Sequence, residues 1–140
     1  MRRGFRLGAL ACAAMLGAVG ALAVAQPASA DSATCSKRVL NADGTTRFQG
    51  CAGMAFFMSY GDHLMVDDRL GDGYAAVVQW WRSDGTGPYE VWNRLGADGG
   101  DVVAETGDIP EGDWIFYKVC IGSGGVIQRA TCSDGVTDYA

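Results

Sequence analysis

Trp114-Ile115-Phe116-Tyr117-Lys118-Val119-Cys120-Ile121 is the stretch on which the fold turns. Side chains of an extended strand point alternately to its two faces, so positions two apart share a surface. Ile115, Tyr117, Val119 and Ile121 fall on one face, and that wholly apolar or aromatic set reads as core. Trp114, Phe116, Lys118 and Cys120 fall on the other. Upstream, Tyr74 to Arg82 is apolar on both faces, with Ala76, Val78 and Trp80 opposed to Ala75, Val77 and Trp81. That is the pattern of a central strand covered on both sides, or of one that carries an exposed aromatic.

Working outward, tight-turn residues punctuate the chain at short intervals: Asp43-Gly44, Gly61-Asp62, Gly71-Asp72-Gly73, Asp84-Gly85, Asp98-Gly99-Gly100, Pro110-Glu111-Gly112, Gly122 to Gly125 and Asp134-Gly135. Between them lie runs rich in Val, Ile, Thr and aromatics, and no segment sustains a helical period. The reading is eight short strands, near Thr34 to Leu40, Thr46 to Tyr60, His63 to Asp67, Tyr74 to Arg82, Tyr89 to Arg94, Val102 to Thr106, Trp114 to Ile121 and Val126 to Thr131. The expected fold is all-β, a small antiparallel β-sandwich, Ig-like or barrel-like, in which two sheets bury their apolar faces on each other.

The chain has 140 residues, and its first 30 read as an export signal. Met1 to Arg6 is cationic, Leu7 to Ala25 is apolar without a charge, and Ala28-Ser29-Ala30 offers the small residues of a cleavage site. Residues 31–140 are then a single secreted, extracellular domain. It carries 8 Lys and Arg against 16 Asp and Glu, a balance of −8. A surface that acidic repels phosphate backbones and anionic headgroups, which argues against nucleic acid and against membrane once the signal is removed. A monomer is expected.

Cys12 leaves with the signal, and Cys35, Cys51, Cys120 and Cys132 remain. An even set in a short exported chain reads as disulfides, because the compartment is oxidising and a small core gains from cross-links. Of the three possible pairings, Cys35 with Cys51 and Cys120 with Cys132 is favoured, since each pair is close in sequence. Each loop would contribute roughly 3 kcal/mol in the chain-entropy model. A zinc site is the rival reading, but it would lack any CxxC pair and would have His63 alone to draw on.

Two resemblances enter here. The stretch from Tyr60-Gly61-Asp62-His63-Leu64-Met65-Val66-Asp67-Asp68 through Asp72-Gly73-Tyr74-Ala75-Ala76-Val77-Val78, followed by Trp114 to Cys120 and then Cys132, resembles small secreted proteins of actinobacteria. That resemblance implies a compact, disulfide-bonded all-β domain and no catalytic residue. The chain is also similar to the α-amylase inhibitors of the tendamistat type, whose first disulfide spans an interval like that from Cys35 to Cys51. That family's inhibitory Trp-Arg-Tyr triplet lies inside this interval, whereas Ser36 to Gly50 holds neither Trp nor Tyr. Trp81-Arg82 supplies two of the three residue types outside it.

No catalytic constellation is visible. His63 is the sole candidate base for a nucleophilic hydrolase and has no GxSxG context. The carboxylates Asp67, Asp68, Asp72, Glu90 and Glu105 are available for acid–base work, yet Asp beside Gly is ordinary turn chemistry. Asp67, Asp68 and Asp72 do not have the spacing of an EF-hand loop. No metal ligand and no cofactor is therefore assigned, and a small hydrolase using His63 and Asp68 is the last of the alternatives.

The aromatics carry the functional hint. Trp80, Trp81, Trp92 and Trp114 are many tryptophans for a core this small, and Trp92 stands between Glu90 and Arg94 on one strand face. Aromatic anchors beside polar groups are what recognition surfaces use. Trp81 and Trp92 are the expected ligand-binding residues of a non-catalytic module whose partner is an extracellular protein or polysaccharide. The two specific forms are an inhibitor of a secreted hydrolase and a carbohydrate-binding module. Trp80 is assigned to the core.

Overall fold

A computed structural model describes residues 32–140. The expected export signal at residues 1–30, with Cys12, lies outside the described residues. Eleven strands form: β1 (Ala33–Cys35), β2 (Val39–Leu40), β3 (Thr46–Phe48), β4 (Gly53–Met58), β5 (His63–Asp68), β6 (Ala75–Arg82), β7 (Tyr89–Asn93), β8 (Val102–Glu105), β9 (Trp114–Ser123), β10 (Val126–Ile127) and β11 (Val136–Tyr139), with a 3-10 turn at Arg129–Thr131. One antiparallel sheet has the order β1-β4-β5-β8. The other has the order β10-β9-β6-β7 with β11 also beside β9, and β2-β3 is a separate small hairpin.

The two larger sheets face each other as a small β-sandwich. Ala55, Phe57, Leu64, Val66 and Ala104 of the first sheet pack with Ala76, Val78, Trp80, Ile115, Tyr117 and Val119 of the second. Every β9 residue assigned to the core by alternation is fully or almost fully buried. Trp80, only 5% exposed, lies inside. Its ring stacks on Tyr89 at 4.3 Å between centroids, and its indole Nε1 is buried without a hydrogen-bond partner.

Two polar residues tie the sheets together. Tyr117, fully buried on β9, accepts a hydrogen bond from the Phe57 amide of the opposite sheet at 3.2 Å and donates to Asp138 Oδ2 at 2.8 Å. Asp138 also accepts from the Ser32 amide at 3.1 Å, and the Ser32 carbonyl lies against the same hydroxyl. Asn93, at the end of β7, donates from Nδ2 to the carbonyls of Val66 at 2.9 Å and Gly100 at 2.8 Å, and accepts from the Leu95 amide. The buried polar groups of Tyr117, Asp138 and Asn93 are thereby satisfied, the condition under which such burial is tolerated.

Among the described residues eleven strands replace the eight expected, and the differences have local causes. The expected strand Thr34 to Leu40 is broken at Ser36–Arg38, where Ser36 exchanges bonds with Gly53 and Cys51 and the Lys37 amide turns to the Thr131 carbonyl. Thr46 to Tyr60 is broken at Gln49–Ala52, with Cys51 at φ 56°. Val126 to Thr131 leaves strand conformation after Ile127, because its next residues cap the free edge of β9. There the Ile121 amide donates to Thr131 Oγ1 at 3.0 Å and the Val119 amide to Ser133 Oγ at 3.1 Å. Side-chain hydroxyls take the place of a strand between β10 and β11. β11, which is not among the eight expected strands, follows Gly135 and pairs Val136 to Tyr139 with Tyr117 to Trp114.

Both favoured disulfides are present, Cys35–Cys51 and Cys120–Cys132. The first joins the end of β1 to the turn before β4. The second joins β9 to the segment that caps its edge, and Cys120 is fully buried.

Candidate functional site

The outer face of the β10-β9-β6-β7 sheet can be read off its registers. Trp92, Val77 and Cys120 form one cross-strand row; Glu90, Gln79 and Lys118 form the next; Trp81, Phe116 and Thr137 form another. Side chains opposite one another in a ladder share a face. Trp81 and Trp92, the two residues singled out as ligand-binding, therefore stand on the same outer face, and both are half-buried. They are not adjacent. Trp92 is level with Val77, so four residues of β6, roughly 13 Å at strand rise, separate the two rows.

Each indole has a cation over it. Arg94 Cζ lies 5.1 Å from the Trp92 ring centre and Lys118 Nζ 5.3 Å from that of Trp81. The negative face of an indole attracts a cation at this range. Trp81 also packs against Phe116 at 5.5 Å between centroids. Between the two aromatic rows, Gln79 Nε2 donates to Glu90 Oε1 at 2.7 Å.

Trp92 starts on β7, yet its ring reaches the glycine of β9. A Cβ built on Gly122 would come within 2.7 Å of the indole's Cη2 and Cζ3. The ring therefore crosses β6, and β9 must be without a side chain at this point. A groove of about 320 Å³ opens beside it, lined by Trp92, Arg94, Tyr74, Asp68 and Ser123 together with the glycine turns at 71–73 and 122–124.

Asp68 closes β5 and is 3% exposed. Its Oδ1 accepts from the Leu70 amide at 3.5 Å. Burial pushes its pKa above the ordinary 3.8, with the Asp72 and Asp67 carboxylates adding in the same direction and the Leu70 amide opposing. Burial raises Asp67 as well, reinforced by Asp101 and offset by Arg69. For a carboxyl raised in the native state the folded protein holds the proton longer. The stability this contributes is present in full below 3.8 and is lost as pH rises through the folded value. Asp68→Asn removes that loss. In urea denaturation across pH, the variant should gain on the wild type as pH climbs from below 3.8 to neutrality; a pH-independent difference would contradict it.

The other residues considered for chemistry lie elsewhere. His63 faces Glu105 across the β5–β8 ladder, beside a second hollow formed with Gly61, Asp62 and Asp108. Asp62 Oδ2 is occupied by the Ile109 amide at 3.0 Å, and the Asp62 carbonyl accepts from Thr106 Oγ1. His63 and Asp68 are at opposite ends of β5, so no joint site forms from them. Asp72 Oδ1 accepts from the Tyr74 amide at 2.9 Å, which is turn chemistry. Among the described residues no group of three or more His, Cys, Asp or Glu side chains is placed to hold a metal.

Tyr60 is the surface residue that sequence reading missed. Expected at the end of the strand Thr46 to Tyr60, it stands instead in the β4–β5 turn, 93% exposed, with Gly61 at φ 87° and Asp62 at φ 55° beside it. The Gly61-Asp62 turn signal was the available clue. No family model matches the chain, and no curated protein and no solved structure is found similar to it.

Proposed function

We propose that the protein is a secreted, non-catalytic binding module that recognises an extracellular ligand through the outer face of its second sheet. The observation that carries this reading is the placement of Trp81 and Trp92 on that one face, both half-buried and each flanked by a cation. Half-buried indoles keep a rigid apolar surface at low entropic cost while nearby Lys, Arg and Gln groups supply direction, the composition of recognition hot spots. Two disulfides in a domain this small fit an oxidising compartment. A polysaccharide is the ligand class that this mixture of flat rings and polar side chains suits best.

Retention on insoluble polysaccharides tests it. Wild-type protein should be retained on at least one of them, and Trp92→Ala should lower the affinity about tenfold or more. Retention unchanged in both Trp92→Ala and Trp81→Ala would defeat the reading.

Tyr60 favours a second reading, an inhibitor of a secreted hydrolase. An aromatic held out on a tight turn is suited to enter a partner's cleft with little loss of conformational freedom. That reading expects stoichiometric loss of a hydrolase's activity on mixing, abolished by Tyr60→Ala and indifferent to Trp92→Ala.

A further inference from the structure

We infer that the groove beside Trp92 takes one neutral pyranose unit at the end of a glycan chain, an inference that rests on the binding-module reading and names its ligand. The groove offers three kinds of wall. The part of the Trp92 ring that lines the groove supplies an apolar aromatic wall for the C–H groups of a sugar ring. Asp68 supplies a buried acceptor, and Arg94 and Ser123 supply polar donors. Gly71, Gly73 and Gly124 present backbone without side chains and with open space beside them, so a ring can approach closely. A ligand that must donate and accept at once, and also present an apolar face, is a polyhydroxylated ring.

Charge narrows the choice to a neutral one. Asp68 is the carboxylate of the lining, so a sulfated, phosphorylated or uronic ring would meet a like charge there. A cationic ligand would compete with Arg94, whose guanidinium already occupies the attractive position over the indole. The volume, about 320 Å³, is at the small end of ligand pockets, enough for one ring and little more.

Topology explains why the ring is terminal. The β5–β6 turn, through Leu70, Gly71 and Gly73, and the β9–β10 turn, through Ser123 and Gly124, border the groove. Toward Trp81 the next row is Glu90, Gln79 and Lys118, which is polar and internally hydrogen-bonded. A second ring extending toward Trp81 meets no stacking surface before the Trp81 row. Affinity should therefore reside in one ring and grow little with chain length.

The test is calorimetric titration of the full secreted domain with the methyl glycosides of glucose, galactose, mannose, xylose and N-acetylglucosamine, and with the tetrasaccharide of whichever binds. The inference expects one monosaccharide to bind, with the tetrasaccharide gaining no more than a few-fold. It expects loss of about tenfold or more in Trp92→Ala and in Asp68→Asn, and little change in Trp81→Ala. Arg94→Ala, at an exposed position, should also weaken binding and guards against a fold defect in the buried variants. Affinity that rises steeply with chain length and depends on Trp81 would overturn the groove while leaving the face as the binding surface. Absence of binding by every glycoside at millimolar concentration would also overturn it. If intact polysaccharide is not retained either, the binding-module reading falls with it.

Discussion

Tyr117→Ala should cost about 3–5 kcal/mol, the range for truncating a fully buried aromatic, and leave a domain of ordinary stability near the edge of folding. Two losses combine. The ring is among the largest fully buried side chains and sits where β9 faces β4, so its removal opens a cavity that the sheets cannot close. Its hydroxyl also serves the Phe57 amide of the opposite sheet and the buried carboxylate of Asp138. Tyr117→Phe separates the two. It keeps the ring and strips the hydroxyl, so it should cost about 1–3 kcal/mol for a buried donor and acceptor left unmet. Urea denaturation reads both as shifts of midpoint at constant slope. A Phe variant as stable as wild type would mean that the Asp138 network contributes nothing to folding.

The second large effect is expected at the C-terminal disulfide. Replacing Cys120 and Cys132 together by Ala should cost about 3 kcal/mol from loop entropy and, although the Cys35–Cys51 loop is the longer (sequence separation 16 against 12), more in total than the same replacement of Cys35 and Cys51. The asymmetry follows from what each bond holds. Cys35 is half-buried and Cys51 exposed, and their bond secures a turn at the edge of the first sheet. The Cys120–Cys132 bond holds the segment whose Thr131 and Ser133 hydroxyls satisfy the amides of Ile121 and Val119. Freed, that segment leaves a gap in the pairing of β9 between β10 and β11. Hydrogen exchange should show the Val119 and Ile121 amides losing protection in the Cys120/Cys132 variant and keeping it in the Cys35/Cys51 variant. Equal losses of stability in the two variants would refute the asymmetry.

The same comparison bears on the proposed binding face. Cys120 stands in one row with Val77 and Trp92, and Gly122 beneath the Trp92 ring is two residues along the same strand. A loosened β9 edge would also release the seat of the indole. Loss of carbohydrate binding in the Cys120/Cys132 variant, at temperatures where it is still folded, would link the staple to the groove.

What is decided locally is legible in the amino-acid sequence. Alternation with a period of two sorted Ile115, Tyr117, Val119 and Ile121 from their neighbours, and glycine-rich turns marked where strands end. The same reading placed Trp80 inside and put Trp81 on the opposite face of its strand. Close spacing in the chain was enough to pair the cysteines, since neighbouring strands joined by short turns bring such residues together. None of this requires knowledge of which strand lies beside which.

Strand order and register decided the rest, and they are set by contacts between residues far apart in the chain. Asp138, Ser32 and Tyr117 meet because β11 and the chain entering β1 converge on β9. Asn93 is buried because the end of β7 lies over Val66 of the other sheet. Trp81 and Trp92 share a face because β7 pairs with β6 in the register that sets Trp92 against Val77; a slip of one residue would turn the β7 ring to the core. The groove likewise needs Gly122 of β9 under a ring that starts two strands away. Periodicity tells which residues of one strand point together. Only packing one sheet against another, where the burial of apolar faces selects a single register, brings side chains of different strands into one site.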